Sequence, residues 1–283
     1  MTHSNPSAAP SDGRVEDYSF SAFAHQPFYQ EENRRLIDLL GLQPGQRVID
    51  LACGPGLITR MVLDKVRGKE GAWILGVDLS PHALEEARQH FTNVDDAIVD
   101  FANAKAEDLS QVISERVDAV VFCNAIHLVD NKRDVLGGIA RALRAGGLFG
   151  FNSTFYSGSI LPETEPFYRR WMMRAHRLLK SVHGLSPTKD RVMARQQLTA
   201  DEYKSLLAEA GFTVREERVI PIEVPIEGWL DICAFSDFVQ GALPGIRLET
   251  ASDILREAIR DTFRDMQLSF VRRNWLEIVA TRA

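Results

Sequence analysis

Apolar positions along this chain alternate between short unbroken runs and longer stretches of helical rhythm. Val48–Leu51, Trp73–Val77 and Val117–Cys123 are runs of strand length, and turn residues follow each of them. Gly147–Phe151, Phe212–Val224 and Trp275–Thr281 read as further strands. Helices are expected between them. Tyr29–Leu40 clusters Leu36, Ile37, Leu39 and Leu40 on one face and leaves Glu31, Glu32 and Arg34 in solvent. Pro81–Phe91 starts with Ser80 at the N-cap and Pro81 at the first helical position. Lys132–Ala145 stops at Gly146-Gly147, and Thr199–Gly211 opens on a capping box of Thr199 and Glu202. Strands alternating with helices imply a parallel sheet covered on both faces.

Two longer helical stretches interrupt this alternation. Glu165–His183 carries a stripe of Phe167, Trp171, Met172, Ala175, Leu178, Leu179 and Val182. A second helical block, Trp229–Met266, separates the sixth strand from the last. Both follow strands at their carboxyl ends, where ligands sit in open α/β sheets, and so they are placed to roof a site.

The first strand holds the sharpest chemical signal. In Val48-Ile49-Asp50-Leu51-Ala52-Cys53-Gly54-Pro55-Gly56 an apolar run ends in a carboxylate and reaches two glycines one residue apart. Glycine lacks a Cβ and accepts positive φ, so a ligand can lie against bare main chain. The following helix points its unpaired N–H groups at that ligand. One βα unit later, Trp73–Ser80 places Asp78 at a strand end, where a carboxylate accepts hydrogen bonds from ribose hydroxyls. A dinucleotide would require G-x-G-x-x-G, but Thr59 stands where the third glycine belongs. Asp50 would also repel a pyrophosphate. A nucleoside cofactor with a cationic amino acid part and no phosphate suits these residues better.

On these residues the chain resembles the class I S-adenosylmethionine-dependent methyltransferases over residues 29–155. Asp50, Gly54 and Gly56 match the family's acid-x-Gly-x-Gly-x-Gly motif, with Ala52 replacing its first glycine. Asp78 falls on the ribose acid, Ala106-Glu107-Asp108-Leu109 on the adenine-side stretch, and Val117–Ala125 on the fourth strand. The resemblance implies a Rossmann-like, doubly wound α/β sheet of seven mostly parallel strands with an antiparallel final strand, plus helical lid insertions. It implies S-adenosylmethionine as cofactor and S-adenosylhomocysteine as product. Tyr29, Asp50, Ala52, Gly54, Gly56, Asp78, Leu79, Ala106, Glu107, Asn124 and Ala125 become the expected cofactor contacts. The expected organisation is a disordered tail over 1–16 and one methyltransferase domain over 17–283. Its core comprises 29–155, 199–226 and 270–283, with lids at 156–198 and 227–269.

Composition narrows the setting. A net charge of −6 over 283 residues argues against a nucleic-acid partner, and no apolar run reaches membrane-spanning length. The N-terminal residues have no apolar signal segment, and Cys53, Cys123 and Cys233 are too far apart for a disulfide framework or metal pair, so the cytoplasm is the expected location. No metal is expected, because Asp130-Asn131 lacks a second acid after the fifth strand, which offers only Asn152. The oligomeric state is left open.

Methyl transfer needs alignment, exclusion of water and at most one proton acceptor. His127, just past the fourth strand, is the candidate base, with a loop-shaping histidine as the alternative. Tyr18, Phe155, Trp171, His176 and Phe235 are the candidate acceptor-binding residues. Arg169, Arg170, Arg174, Arg177, Lys180, Lys189, Arg191 and Arg195 form either a solvated face or a dock for an anionic or carrier-bound acceptor. The expected activity is methylation of a small, mostly apolar acceptor of secondary metabolism. A cyclisation or rearrangement that keeps the cofactor without using its methyl group is the alternative.

Overall fold

The computed structural model describes residues 18–188 and 197–283. The expected tail, with Lys189, Arg191 and Arg195, lies outside the described residues. Seven strands form one sheet: β1 Arg47–Leu51, β2 Trp73–Asp78, β3 Ile98–Asn103, β4 Val117–Cys123, β5 Leu143–Ser153, β6 Phe212–Pro225 and β7 Phe270–Arg282. Their order is β3-β2-β1-β4-β5-β7-β6. Pairing is parallel from β3 through β5, and β7 runs antiparallel to both β5 and β6. The unbroken apolar runs are explained by burial on both faces: Val48, Ile49, Ile74, Val77, Val120 and Val121 have no exposed surface. Strand order reverses between β1 and β4, which opens a crevice beyond their carboxyl ends.

Helices α1 Ser21–Ala24, α2 Pro27–Leu40, α3 Leu57–Val66, α4 Pro81–His90, α5 Leu109–Val112 and α6 Lys132–Ala142 belong to the first half of the chain. In α4 the Ser80 hydroxyl accepts the Ala83 N–H, and in α6 Asn131 accepts the Asp134 N–H. The sequence assigned no element to Ser21–Ala24. Glu32 of α2 is buried rather than solvated, held by Arg35 at 2.6 Å, because this helix turns that position toward the Glu277 side of β7. Helix α6 ends three residues earlier than its rhythm predicts, and β5 begins at Leu143. The Arg144–Gly147 segment is accommodated by a register shift against β4, with Gly146 at φ 74° and Arg144 bonded to Asp118 at 2.7 Å. The inter-strand pairing of Leu143 with Val117 outcompetes further helix there.

The two interrupting blocks are helical. Helix α7 spans Glu165–His183, and α8 Ala200–Glu209 carries the complete Thr199–Glu202 capping box. Helices α9 Ile226–Ile232, α10 Ser236–Ala242 and α11 Leu248–Met266 make up the second block. Phe167, Trp171, Ala175 and Leu179 pack with Leu255, Ala258, Ile259 and Phe263 of α11, and the same cluster continues into Trp275 of β7. Truncating one such aromatic to alanine costs about 3–5 kcal/mol. Val182, placed in the stripe by its spacing, is exposed near the end of α7.

Candidate functional site

The turn leaving β1 is held against β2. Its backbone takes positive φ at Ala52 (57°), Gly54 (53°) and Gly56 (92°), and Gly56 caps α3. The Asp78 Oδ2 accepts the Gly54 N–H at 2.8 Å, and Cys53 N–H donates to the Val77 carbonyl at 3.1 Å. Asp78 Oδ1 accepts the Ser80 N–H at 2.8 Å, so each carboxylate oxygen keeps a lone pair for a further donor. The two glycines differ in surroundings. A Cβ on Gly56 would lie 2.8 Å from the Phe91 ring, whereas one on Gly54 would meet nothing within 4 Å. The main chain at Gly54 therefore borders open space.

Asp50 lies beneath this turn. It is buried, and burial pushes its carboxyl up to about 7, with the Thr59 hydrogen bond opposing and the Asp78 charge adding to the rise. Thr59 donates to Oδ2 at 2.6 Å, while Oδ1 has no partner among the described residues. A buried oxygen without a donor is costly, and a cationic ligand would relieve it. At the end of β4, Asn124 takes φ 48°; its side-chain oxygen accepts the Thr154 N–H at 3.0 Å and its amide nitrogen is also unpartnered. Its backbone N–H donates to Asn152, which bonds Asn33, which in turn bonds the Tyr29 carbonyl. Tyr29 is buried, and its hydroxyl is pushed well up by burial and by the nearby Cys123 and Asp50. Ala106 and Glu107 are half-buried in a turn after β3, and Leu79 is 62% exposed beside Asp78.

Open space at Gly54, an unpaired buried acid and a strand-end carboxylate fit a phosphate-free nucleoside with a cationic end. Residues 49–149 match the methyltransferase domain family. Over 206 residues, 69% of this chain and 69% of the relative, the sequence is 31% identical to trans-aconitate 2-methyltransferase of Methylobacterium nodulans. The chain belongs to the class I S-adenosylmethionine-dependent methyltransferases. Solved structures share this methyltransferase's fold. The cyclopropane synthase of Mycobacterium tuberculosis aligns with a TM-score of 0.57 at 13% identity, covering 96% of this chain and 99% of its own. A phosphoethanolamine N-methyltransferase of Haemonchus contortus in complex with S-adenosylmethionine aligns at 0.55 and 17%, covering 96% of this chain and 57% of its own.

In this methyltransferase a narrow cleft lies among β6, β7 and helices α9 and α10. Phe155, Phe238, Trp229 and Trp275 line it, with Phe23 and Phe28 from the N-terminal segment. His127 flanks it, its ring 4.6 Å from that of Phe155 and its Nδ1 3.2 Å from Ser153 Oγ. Burial lowers the His127 imidazole to about 3, and the positive charges of Arg273 and Lys132 act in the same direction. That environment keeps the ring neutral and makes it a weak proton acceptor.

Of the expected acceptor contacts, Phe155 lines the cleft. Trp171 is buried behind the wall, packed on Phe238 at 5.9 Å and Trp229 at 5.8 Å, and its indole donates to the Leu255 carbonyl at 3.1 Å. His176 is exposed, because it follows Ala175 by one residue and helical geometry turns it off the buried stripe. Tyr18 and Phe235 are half-buried against the lid core, with Phe235 on the Phe20 ring at 5.2 Å. Arg169, Arg170 and Arg177 are exposed along α7, and Arg174 pairs with Asp265. Sequence reasoning missed Arg273 and Trp275 on the cleft wall. Their signal was the alternation of β7, which turns both to the face opposite Arg272 and Asn274.

Proposed function

We propose that the enzyme methylates a small, mostly apolar acceptor seated in the cleft beneath the lid. The observation that carries this reading is the aromatic wall of Phe155, Trp229, Phe238 and Trp275, whose neighbour Thr154 donates its N–H to Asn124 at 3.0 Å. When bound, S-adenosylmethionine supplies the electrophilic methyl group. Asp50 would face its ammonium, Asp78 its ribose hydroxyls, and Leu79, Ala106 and Glu107 its adenine. Tyr29, Ala52, Gly54, Gly56, Asn124 and Ala125 would complete the walls. Leu57, at the start of α3, packs against the apolar cluster that includes Tyr29, Trp229 and Trp275, which supports an acceptor held near the cofactor. The protein's part is then to align the acceptor and exclude water. His127, held neutral, would serve as a wall for Phe155 rather than as the base, so an acceptor needing no strong base suits the site.

Label transfer tests the reading. Incubated with S-adenosylmethionine labelled at the methyl group and a panel of small aromatic and alkyl acceptors, the enzyme should move label into product. Turnover of an acceptor without label would instead establish the cyclisation or rearrangement reading.

A further inference from the structure

We propose that the acceptor carries a carboxylate, and that Arg273 is the seat that anchors it. The inference rests on the reading of the cleft as the acceptor site. Arg273 lies on β7 with 7% of its surface exposed, and it is the one charged side chain among the described residues lining the cleft. A buried charge is costly unless paired, yet none of the ion pairs among the described residues includes Arg273. Its Nε donates to the Thr154 carbonyl at 2.7 Å, and Nη1 and Nη2 reach the Tyr168 hydroxyl and Ser159 Oγ, each at 3.4 Å. A guanidinium has five N–H donors, which leaves two unassigned. Besides these neutral acceptors, ring faces stand against its charge: Phe155 at 4.6 Å, Tyr168 at 5.9 Å and Trp229 at 6.0 Å.

The polar atoms around it point the same way. Trp229 Nε1, Trp275 Nε1 and Thr154 Oγ1 are buried without partners, and all three residues line the same cleft. The two indole N–H groups can only donate, so the residues of this wall carry a guanidinium, two N–H groups and a hydroxyl with no carboxylate among them to receive those donors. The complementary ligand is an anion with more than one acceptor oxygen. A carboxylate matches the planar fork in shape and the single positive charge in magnitude. A phosphate dianion would leave net negative charge in an apolar enclosure. Because a guanidinium draws charge from the oxygens it holds, this carboxylate anchors the acceptor and the methylated atom lies elsewhere on it. A neutral analogue would leave the buried donors unpaired, and this confers selectivity.

Calorimetry on the full chain tests the proposal with phenylacetate, its neutral counterpart phenylacetamide, and inorganic phosphate. S-adenosylhomocysteine is titrated first. If it does not bind, the methyltransferase reading of the site fails, and the anchor fails with it. With S-adenosylhomocysteine bound, phenylacetate should bind at least tenfold tighter than phenylacetamide and tighter than phosphate. Arg273→Gln should abolish that preference while leaving S-adenosylhomocysteine affinity within twofold. Trp229→Phe keeps an aromatic ring but removes the indole N–H, so it should weaken phenylacetate several-fold even if Arg273→Gln does not fold. Equal binding of acid and amide, no binding of either, stronger binding of phosphate, or unchanged preference in these variants overturns the anchor alone.

Discussion

The Asp78 carboxylate accepts the backbone N–H of Gly54 at 2.8 Å, so the end of β2 holds the glycine turn that leaves β1. One side chain thereby shapes the loop and, in the proposed reading, would receive the ribose hydroxyls as well. The two roles are coupled, because losing the acid both loosens the turn and removes the expected ribose partner.

Asp78→Ala should raise the dissociation constant for S-adenosylmethionine at least tenfold, or about 1.4 kcal/mol. Calorimetry measures this directly. Affinity unchanged from the parent would show that the ribose is held elsewhere.

The two glycines of the turn should respond differently to alanine. Gly56→Ala meets the Phe91 ring at 2.8 Å and a φ of 92°, so it should lower the unfolding free energy by about 1–3 kcal/mol. Gly54→Ala places its methyl in open space at φ 53°, a milder strain of about 1–2 kcal/mol, yet it should weaken the cofactor at least tenfold. Thermal unfolding and calorimetry on both variants separate stability from binding. Equal cofactor loss at both positions would contradict the assignment of the open space to ligand.

Asp50 should make cofactor binding depend on pH. Burial raises its carboxyl to about 7, and Glu277, also buried, is raised to about 7 by burial first and then by the Glu32 charge. An acid raised on folding binds its proton longer in the native state. The ligand-free enzyme should therefore lose stability as pH climbs from about 4 toward 7, where only the unfolded chain has ionised. A cationic ligand favours ionised Asp50, so S-adenosylmethionine affinity should rise between pH 5.5 and 7.0 with proton release. Heats that differ between buffers of unlike ionisation enthalpy at pH 6.5 would register that proton, and Asp50→Asn should remove the difference.

His127 makes the opposite contribution. Its imidazole is lowered to about 3, so stability is lost as pH falls below about 6.5, where the unfolded chain binds the proton first. At neutral pH the ring does not change charge. The pH profile of kcat should consequently show no inflection near 6.5 that vanishes in His127→Asn. Such an inflection would restore the imidazole as proton acceptor.

The β1 turn was readable because its chemistry is local. Asp50, Gly54 and Gly56 lie within seven positions, and their residue types encode both the φ values and the bare backbone. The place of Asp78 at the end of β2 was readable because it closes an unbroken apolar run. Glu32, His176 and the start of β5 were not readable. Their states depend on which neighbour covers one helix face, and on whether Leu143 pairs with Val117 or extends a helix.

By itself the sequence determined the strand–helix alternation, the glycine turn after β1 and the two interrupting helical blocks, since apolar periodicity and glycine placement act within a few residues. Tertiary structure alone decided that Thr154, Trp229, Arg273 and Trp275 share one wall. It also decided that Arg273 has no counter-charge there among the described residues. Those residues come from three separated segments, and only the antiparallel return of β7 beside β5 brings Arg273 and Trp275 to the same cleft as Thr154 and Trp229. Whether a charge is balanced depends on what surrounds it in space, and chain spacing carries no record of that.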